Sequence, residues 1–316
     1  DTRAEGEARQ LEDGHARTGC VPHSSYWPAK LLWLKKNRPA EFAATHRWLS
    51  FPEYLFLKLF GRGGASTSMV SGSGLWNQNR NEYDAETLAG LPLDAAHLAN
   101  PADMDAAQDQ LLPQYKSKWP AFSDVPWFPF LGDGACNNIG SGCVGAGRFA
   151  LMVGTTGAMR AVIEAPHMDV PPGLWCYRVD RRRFVVGGAL SNGGNVYAWL
   201  QRTLALPGDC EARLRAAVPG SHGLAFLPFL AGERSPYWRA DLRGAITGLS
   251  LATQPFDILH AALESITLRF RVIHEMLTAS FETPAAVVAS GSALLHSPAW
   301  IQIMADALGQ TIAVCS

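Results

Sequence analysis

The strongest periodic signal lies in "PFDILHAALESITLRFRVIHEMLTAS", where Leu259, Leu263, Ile266, Phe270, Ile273 and Leu277 recur at steps of three and four. Such spacing draws one apolar stripe along a helix, and a stripe of that length needs a sheet or another helix to cover it. A second helix is predicted over "SPAWIQIMADALGQ", with Ser297 as N-cap, Pro298 at the first helical position and Gly309 just past the end. Short apolar runs bounded by glycine, "RFALMVG", "RRFVVGGAL", "HGLAFLPFLAG", "AAVVASG" and "QTIAV", read as strands separated by helical patterns, an α/β alternation. Up to about Pro129 the pattern is one of helices and loops. "AKLLWLKKNRP" predicts a short helix stopped by Pro39, "WLSFPEYLFLKLFG" another apolar segment ending at Gly61, and residues 84–120, rich in Asp, Ala and Pro, an exposed part of the same domain.

A chain of 316 residues is comfortable for two domains. Its net charge of -1, with 17% charged residues, provides no field favouring nucleic acid or an anionic membrane surface. No uninterrupted apolar stretch approaches the roughly 20 residues of a membrane span. The expected partner is a small molecule. Cys20, Cys136, Cys143, Cys176, Cys210 and Cys315 lie far apart, with no CxxC pair and no ligand-like spacing to histidine, which fits a reduced, cytoplasmic protein. The chain opens on "DTRAEGEARQ", without Met or a signal-peptide pattern, and closes on "TIAVCS" in mid-strand. The expectation is an internal piece of a longer protein, aggregation-prone and inactive when expressed by itself.

Candidate chemistry begins at "GDGACNNIGSG", residues 132–142, where a lone acid, Asp133, follows the apolar run "VPWFPFL". Two readings stand: a carboxylate projecting into a cleft from a glycine-rich turn, or a turn residue bonding backbone amides. Three further loops follow apolar runs: "VGTTGAMR", "GGALSNGGNV" and "ASGSALLHSP". Glycines beside small hydroxyl residues at strand ends suit phosphate, because backbone N–H groups can converge there and Thr155 or Thr156 adds a hydroxyl. An ordinary hairpin connection is the competing reading of "GTTG". Neither GxxxxGK[ST] nor a strand-linked GxGxxG occurs, so a P-loop or dinucleotide fold has no support.

Taken in order, these segments resemble the FGGY family of carbohydrate kinases, its gluconokinase-like members in particular. "DTRA" is similar to the end of a Trp-x-Asp-x-Arg sugar motif, "TGCVPHSSYWPAKLLWL" to a Thr-Gly segment leading to Lys and Trp, and "STSMVSGSGLW" to the Ser-rich segment after it. "LPFLAGERSPYWRADLRGAITGLS" with the long helix resembles the second family signature, and "ASGSALLHSPAWIQIMADALGQ" the adenosine motif. The resemblance implies a two-domain actin-like ATPase (ribonuclease H-like) α/β fold with a cleft between lobes. Residues 1–144 would be the remainder of an N-terminal sugar-binding lobe and 145–316 a truncated nucleotide-binding lobe. It implies ATP and Mg2+ as cofactors and a small sugar or sugar acid as partner, most of all gluconate, with xylulose or glycerol as the neutral alternative; a homodimer is compatible.

By the same resemblance Asp133 is the general base, and Asp1, Arg3, His23 and Tyr26 lie on the sugar side with it. Gly154, Thr155, Thr156 and Gly157 hold the β- and γ-phosphates, Gly193, Gly194 and Asn195 border the nucleotide, and Gly291, Ser292 and Ala293 face the adenosine. Two departures are plain. No Asp-x-Gly-Thr phosphate loop, with its Mg2+-associated aspartate, occurs in the chain, and Ser292 stands where the family has a second glycine. A catalytically silent relative and a hydrolase using Asp133 are the other classes left open. Blander roles suffice elsewhere: a satisfied structural histidine at His23, a buried ion pair involving Glu233 and Arg234, a structural Lys30, core or cleft-wall positions for Trp27, Trp33 and Trp199, and caps at Asp241 and Asp257.

Overall fold

The first long helix, α1 (Trp27–Asn37), is entered through Pro28, where a missing N–H costs no helical bond. The computed structural model describes residues 3–314 of the chain. Pro39 does more than stop α1: it opens a separate short helix, Pro39–Ala43, because proline favours a first turn as much as it forbids an interior. Helix α2 (Phe51–Phe60) has a complete capping box, Ser50 with Glu53, and ends on Gly61 at φ 69°. It buries Phe56, Leu59 and Phe60 with Leu111. The Ser-rich segment forms α3 (Thr67–Ser71), capped by Ser66, whose hydroxyl accepts the N–H of Met69. Asp133 starts a helix, α4 (Asp133–Gly140), where a glycine-rich turn was expected.

The chain divides into two units, residues 1–136, 164–170 and 175–185 in one and residues 137–163, 171–174 and 186–316 in the other. In the second, β1 (Arg148–Val153) and β2 (Gly157–Glu164) are an antiparallel hairpin registered Phe149↔Ala161 to Val153↔Gly157. Strand β3 (Trp175–Arg178) belongs to the first unit and β4 (Arg183–Leu190) runs from the first unit into the second, followed by helices α5 (Gly194–Thr203), α6 (Cys210–Ala216) and α7 (Pro255–Ser280). The chain continues through β5 (Ala286–Ser290), the single turn α8 (Ser292–Leu295), α9 (Pro298–Leu308) and β6 (Ile312–Val314). The sheet order is β6–β5–β1–β2–β4–β3, with β5 parallel to both neighbours.

All six stripe residues of α7 are buried, together with Phe149, Leu151, Met159, Phe184 and Val186 of the strands. Helix α9 has the predicted ends: Ser297 accepts the N–H of Trp300, and Gly309 closes the helix at φ 62°. Glu211 of α6 supports that start, accepting the Ser297 hydroxyl at 2.8 Å and the Ala299 N–H at 2.7 Å. Asp257 caps α7 by accepting the Gln254 N–H at 2.8 Å. Among the described residues no helix is long and apolar enough to cross a membrane.

Candidate functional site

Asp133 is exposed, and its Oδ1 accepts the N–H of Gly134 at 2.7 Å. Two serines fix the segment that delivers it. Ser66 donates to the carbonyl of Phe130, and the Ser68 hydroxyl accepts the N–H of Gly132 at 3.1 Å. Phe130 also packs edge-on against Phe56 of α2, with ring centroids 5.6 Å apart. The approach to Asp133 is thus tied by polar bonds on one helix and aromatic packing on another, the support a positioned carboxylate needs.

The sugar-side expectations fall mostly in the same unit. Asp1 lies outside the described residues. Arg3 is exposed, its guanidinium 4.9 Å from the centroid of the Trp33 ring. His23 is buried, Nδ1 lying 2.8 Å from the Ser25 hydroxyl and 3.1 Å from the Ser25 N–H. Tyr26 is 7% exposed, with its hydroxyl 2.7 Å from that of Tyr177. Burial holds the Tyr26 phenol well above its usual range. Burial also draws the Lys30 ammonium below its ordinary value.

The three glycine loops of the second unit meet one another. The β1–β2 connection, residues 154–156, is a hairpin turn, and the start of α5 bonds to its backbone: Gly194 N–H to Gly154 O at 2.8 Å and Asn195 N–H to Thr155 O at 3.0 Å. A Cβ on Gly194 would lie 2.5 Å from Gly154 O and 2.6 Å from Ala293 Cβ, so only glycine lets the three loops approach this closely. Gly291 sits at φ 89° with its Cα turned against the carbonyl of Val153, a position closed to side chains. The N–H groups and hydroxyls of Thr155 and Thr156 have no hydrogen-bond partner among the described residues. They are donors open to phosphate oxygens. Asn195 braces the turn with its own amide, accepting from Gly193 N–H at 2.8 Å and donating to Ser191 O at 2.9 Å. The Ser292 side chain is exposed.

Sequence reasoning paired Glu233 with Arg234, but the buried ion pair joins Glu233 to Arg269 of α7. Burial raises the Glu233 carboxyl, against the opposing pull of Arg269. Arg234 donates to Leu190 O instead. One group escaped the sequence reading: His222, His260 and Glu264 place their ligand atoms within 4.8 Å of one another beside a cavity of about 720 Å3 between α6, α7 and α9. The i, i+4 spacing of His260 and Glu264 was its visible signal. The Leu224 N–H points into Nδ1 of His222 at 3.0 Å, which puts the ring proton of neutral His222 on Nε2, 3.0 Å from Glu264. His222 therefore spends Nε2 on a hydrogen bond, and the group is a carboxylate gripped by two imidazoles and the Gly220 N–H rather than a metal centre.

A mixed sheet with parallel strands, a long helix and glycine loops gathered at strand ends fits the actin-like ATPase fold. The chain belongs to the FGGY family of carbohydrate kinases: residues 1–140 match the family's N-terminal domain and residues 149–316 its C-terminal domain. It is 28% identical to a gluconokinase of Bacillus licheniformis, over 99% of this chain and 65% of the relative. The gluconate kinase structure from Lactobacillus acidophilus superposes with a TM-score of 0.88 at 29% identity, covering 99% of this chain and 64% of that one. A ligand-bound xylulose kinase from the same organism superposes equally well, 0.88 at 30% identity over the same 99% and 64%. The chain thus spans about two thirds of the length of the relatives it matches.

Proposed function

We propose that the whole protein transfers the γ-phosphoryl group of ATP to a hydroxyl of a sugar or sugar acid, with gluconate preferred. The observation that carries this reading is the convergence of Gly154–Gly157, Gly193–Asn195 and Gly291–Ala293, with the donors of Thr155 and Thr156 open. A neutral hydroxyl is a poor nucleophile, and Asp133 is the carboxylate assigned to accept its proton, a contribution of about 10² to 10⁴ in rate. The threonine donors then stabilise charge on the phosphoryl oxygens, and Gly193, Gly194 and Asn195 hold the nucleotide. Arg3 offers a planar fork to a carboxylate, which favours gluconate, and His23 and Tyr26 shape the same side.

Mg2+ bound with ATP supplies charge neutralisation at the phosphates. It takes hard oxygen ligands, and the one three-residue group with ligand spacing among the described residues is rich in nitrogen and internally bonded, so no step is assigned to a metal held by this chain. The equal superposition of gluconate and xylulose kinases makes a neutral sugar the second reading. ADP release by the whole protein, measured with gluconate, xylulose, glycerol and no sugar, tests all of this. Gluconate should give the highest kcat/KM. A higher value for either neutral substrate overturns the preference, release without sugar marks a hydrolase, and no release in any arm marks a silent relative.

A further inference from the structure

The segment "AGERS", residues 231–235, stands outside the three nucleotide loops, yet five hydrogen bonds tie it to residues 189–192, which lead into one of them. Asn192 is 5% exposed, and both atoms of its amide are used: Oδ1 accepts the Ala231 N–H at 2.9 Å and Nδ2 donates to the Gly232 carbonyl at 2.7 Å. Ser235 binds Ala189 twice, N–H to carbonyl at 3.0 Å and hydroxyl from N–H at 3.0 Å. Arg234 reaches the Leu190 carbonyl at 3.0 Å. Residues 189, 190 and 192 are thereby clamped immediately before Gly193, Gly194 and Asn195 turn onto the phosphate hairpin. A side-chain amide presents a donor and an acceptor side by side to successive backbone groups; Asp lacks the donor, and Leu or Ala deprives the Ala231 N–H and the buried Gly232 carbonyl of this partner.

We infer that Asn192 is a positioning residue for nucleotide: without touching ATP, it fixes the 193–195 turn by locking it to the 231–235 loop. The inference rests on the nucleotide reading above and specifies which buried contact sets the affinity of that site. Removing both bonds frees the turn, so the cost falls on ATP binding in the ground state and transition state alike, which raises KM for ATP more than it lowers kcat. Sugar KM stays where it was.

Calorimetric titration of the whole protein with ADP, alongside steady-state kinetics, tests this. Asn192→Ala should weaken ADP binding about ten- to a hundredfold, with kcat at saturating ATP within about threefold of the parent. Asn192→Asp should lose at least as much, since its carboxylate faces the Gly232 carbonyl. Ser235→Ala, a gentler cut in the same clamp, should lose less in the same direction and serves if the Asn192 variants fail to fold. Leu214→Ala, a core truncation in α6, should lower stability and leave ADP affinity unchanged. ADP affinity within threefold of the parent in the clamp variants, with the parent binding normally, overturns this inference alone. A parent that binds no ADP overturns the nucleotide reading and this inference with it.

Discussion

The Ser68 hydroxyl accepts the N–H of Gly132 at 3.1 Å, so the residue preceding Asp133 is held by a side chain 64 positions earlier. With Ser66 on the Phe130 carbonyl, the bond explains the first two serines of "STSMVSGSG": they fasten the strand-like approach to the acid. Asp133→Asn keeps the shape and removes the proposed base, so turnover of the whole protein should fall at least a hundredfold, about 2.7 kcal/mol of barrier, with nucleotide affinity little changed. Turnover within about threefold of the parent would show that Asp133 is not the base.

Gly194 lies where three loops cross. Gly194→Ala drives a methyl group against Gly154 O and Ala293 Cβ, and the loops must part to accept it. The expected result is a loss of about 1–3 kcal/mol in unfolding free energy and a clear weakening of ADP binding. Gly208→Ala is the control, since a Cβ there meets nothing within 4 Å. Equal denaturant midpoints for the two variants would refute the close approach.

Phe270 is fully buried and backs the first residue of β2, Gly157, from α7. Phe270→Ala should cost about 3–5 kcal/mol, and Phe270→Leu distinctly less, as read from urea unfolding. A loss under 1 kcal/mol for the alanine variant would mean that the hairpin does not lean on this ring.

Acid sensitivity should come from two histidines of α7. Burial lowers both His260 and His274 from the usual 6.5; Glu264 and Asp257 pull His260 upward and His222 pushes it down, while Glu275 pulls His274 upward, without overcoming the desolvation. Above pH 6.5 neither the folded nor the unfolded chain binds these protons, and their neutral packing contributes in full. As pH falls below 6.5 the unfolded chain takes up protons that the fold refuses, so stability declines from there down through the depressed folded values. Urea midpoints at pH 8, 7, 6 and 5.5 should be flat and then drop, and His274→Asn should flatten the drop. A midpoint that rises on acidification would contradict the sign.

Much of the second unit was legible because its signals are local. The stripe of α7, the Ser297 and Gly309 caps of α9 and the glycine-bounded strands each depend on residues close in sequence. β2 leaves little mark in the sequence because Arg160 interrupts its apolar run, and β3 because its run before Arg178 is only three residues long; both arginines are buried in the fold. The helix at Asp133 was hidden by its glycines and asparagines, which favour turns. It forms because distant Ser68 fixes Gly132 and because Ala135 and Asn138 bury one face. Candidate loops could be named from composition, but their meeting at Gly194 and Ala293 could not, since nothing in a sequence records which loops touch. The same holds for Glu233, whose partner Arg269 lies 36 positions away.

Cysteine placement has a practical side. Cys20, Cys143, Cys176 and Cys210 are buried, and burial pushes the thiols of Cys20, Cys176 and Cys210 up, so little thiolate is exposed to reagents there. Cys136 is the exposed one among the described cysteines, one helical turn beyond Asp133. A maleimide dye should couple there first, giving an optical reporter beside the assigned base on the native sequence, with no engineered attachment point.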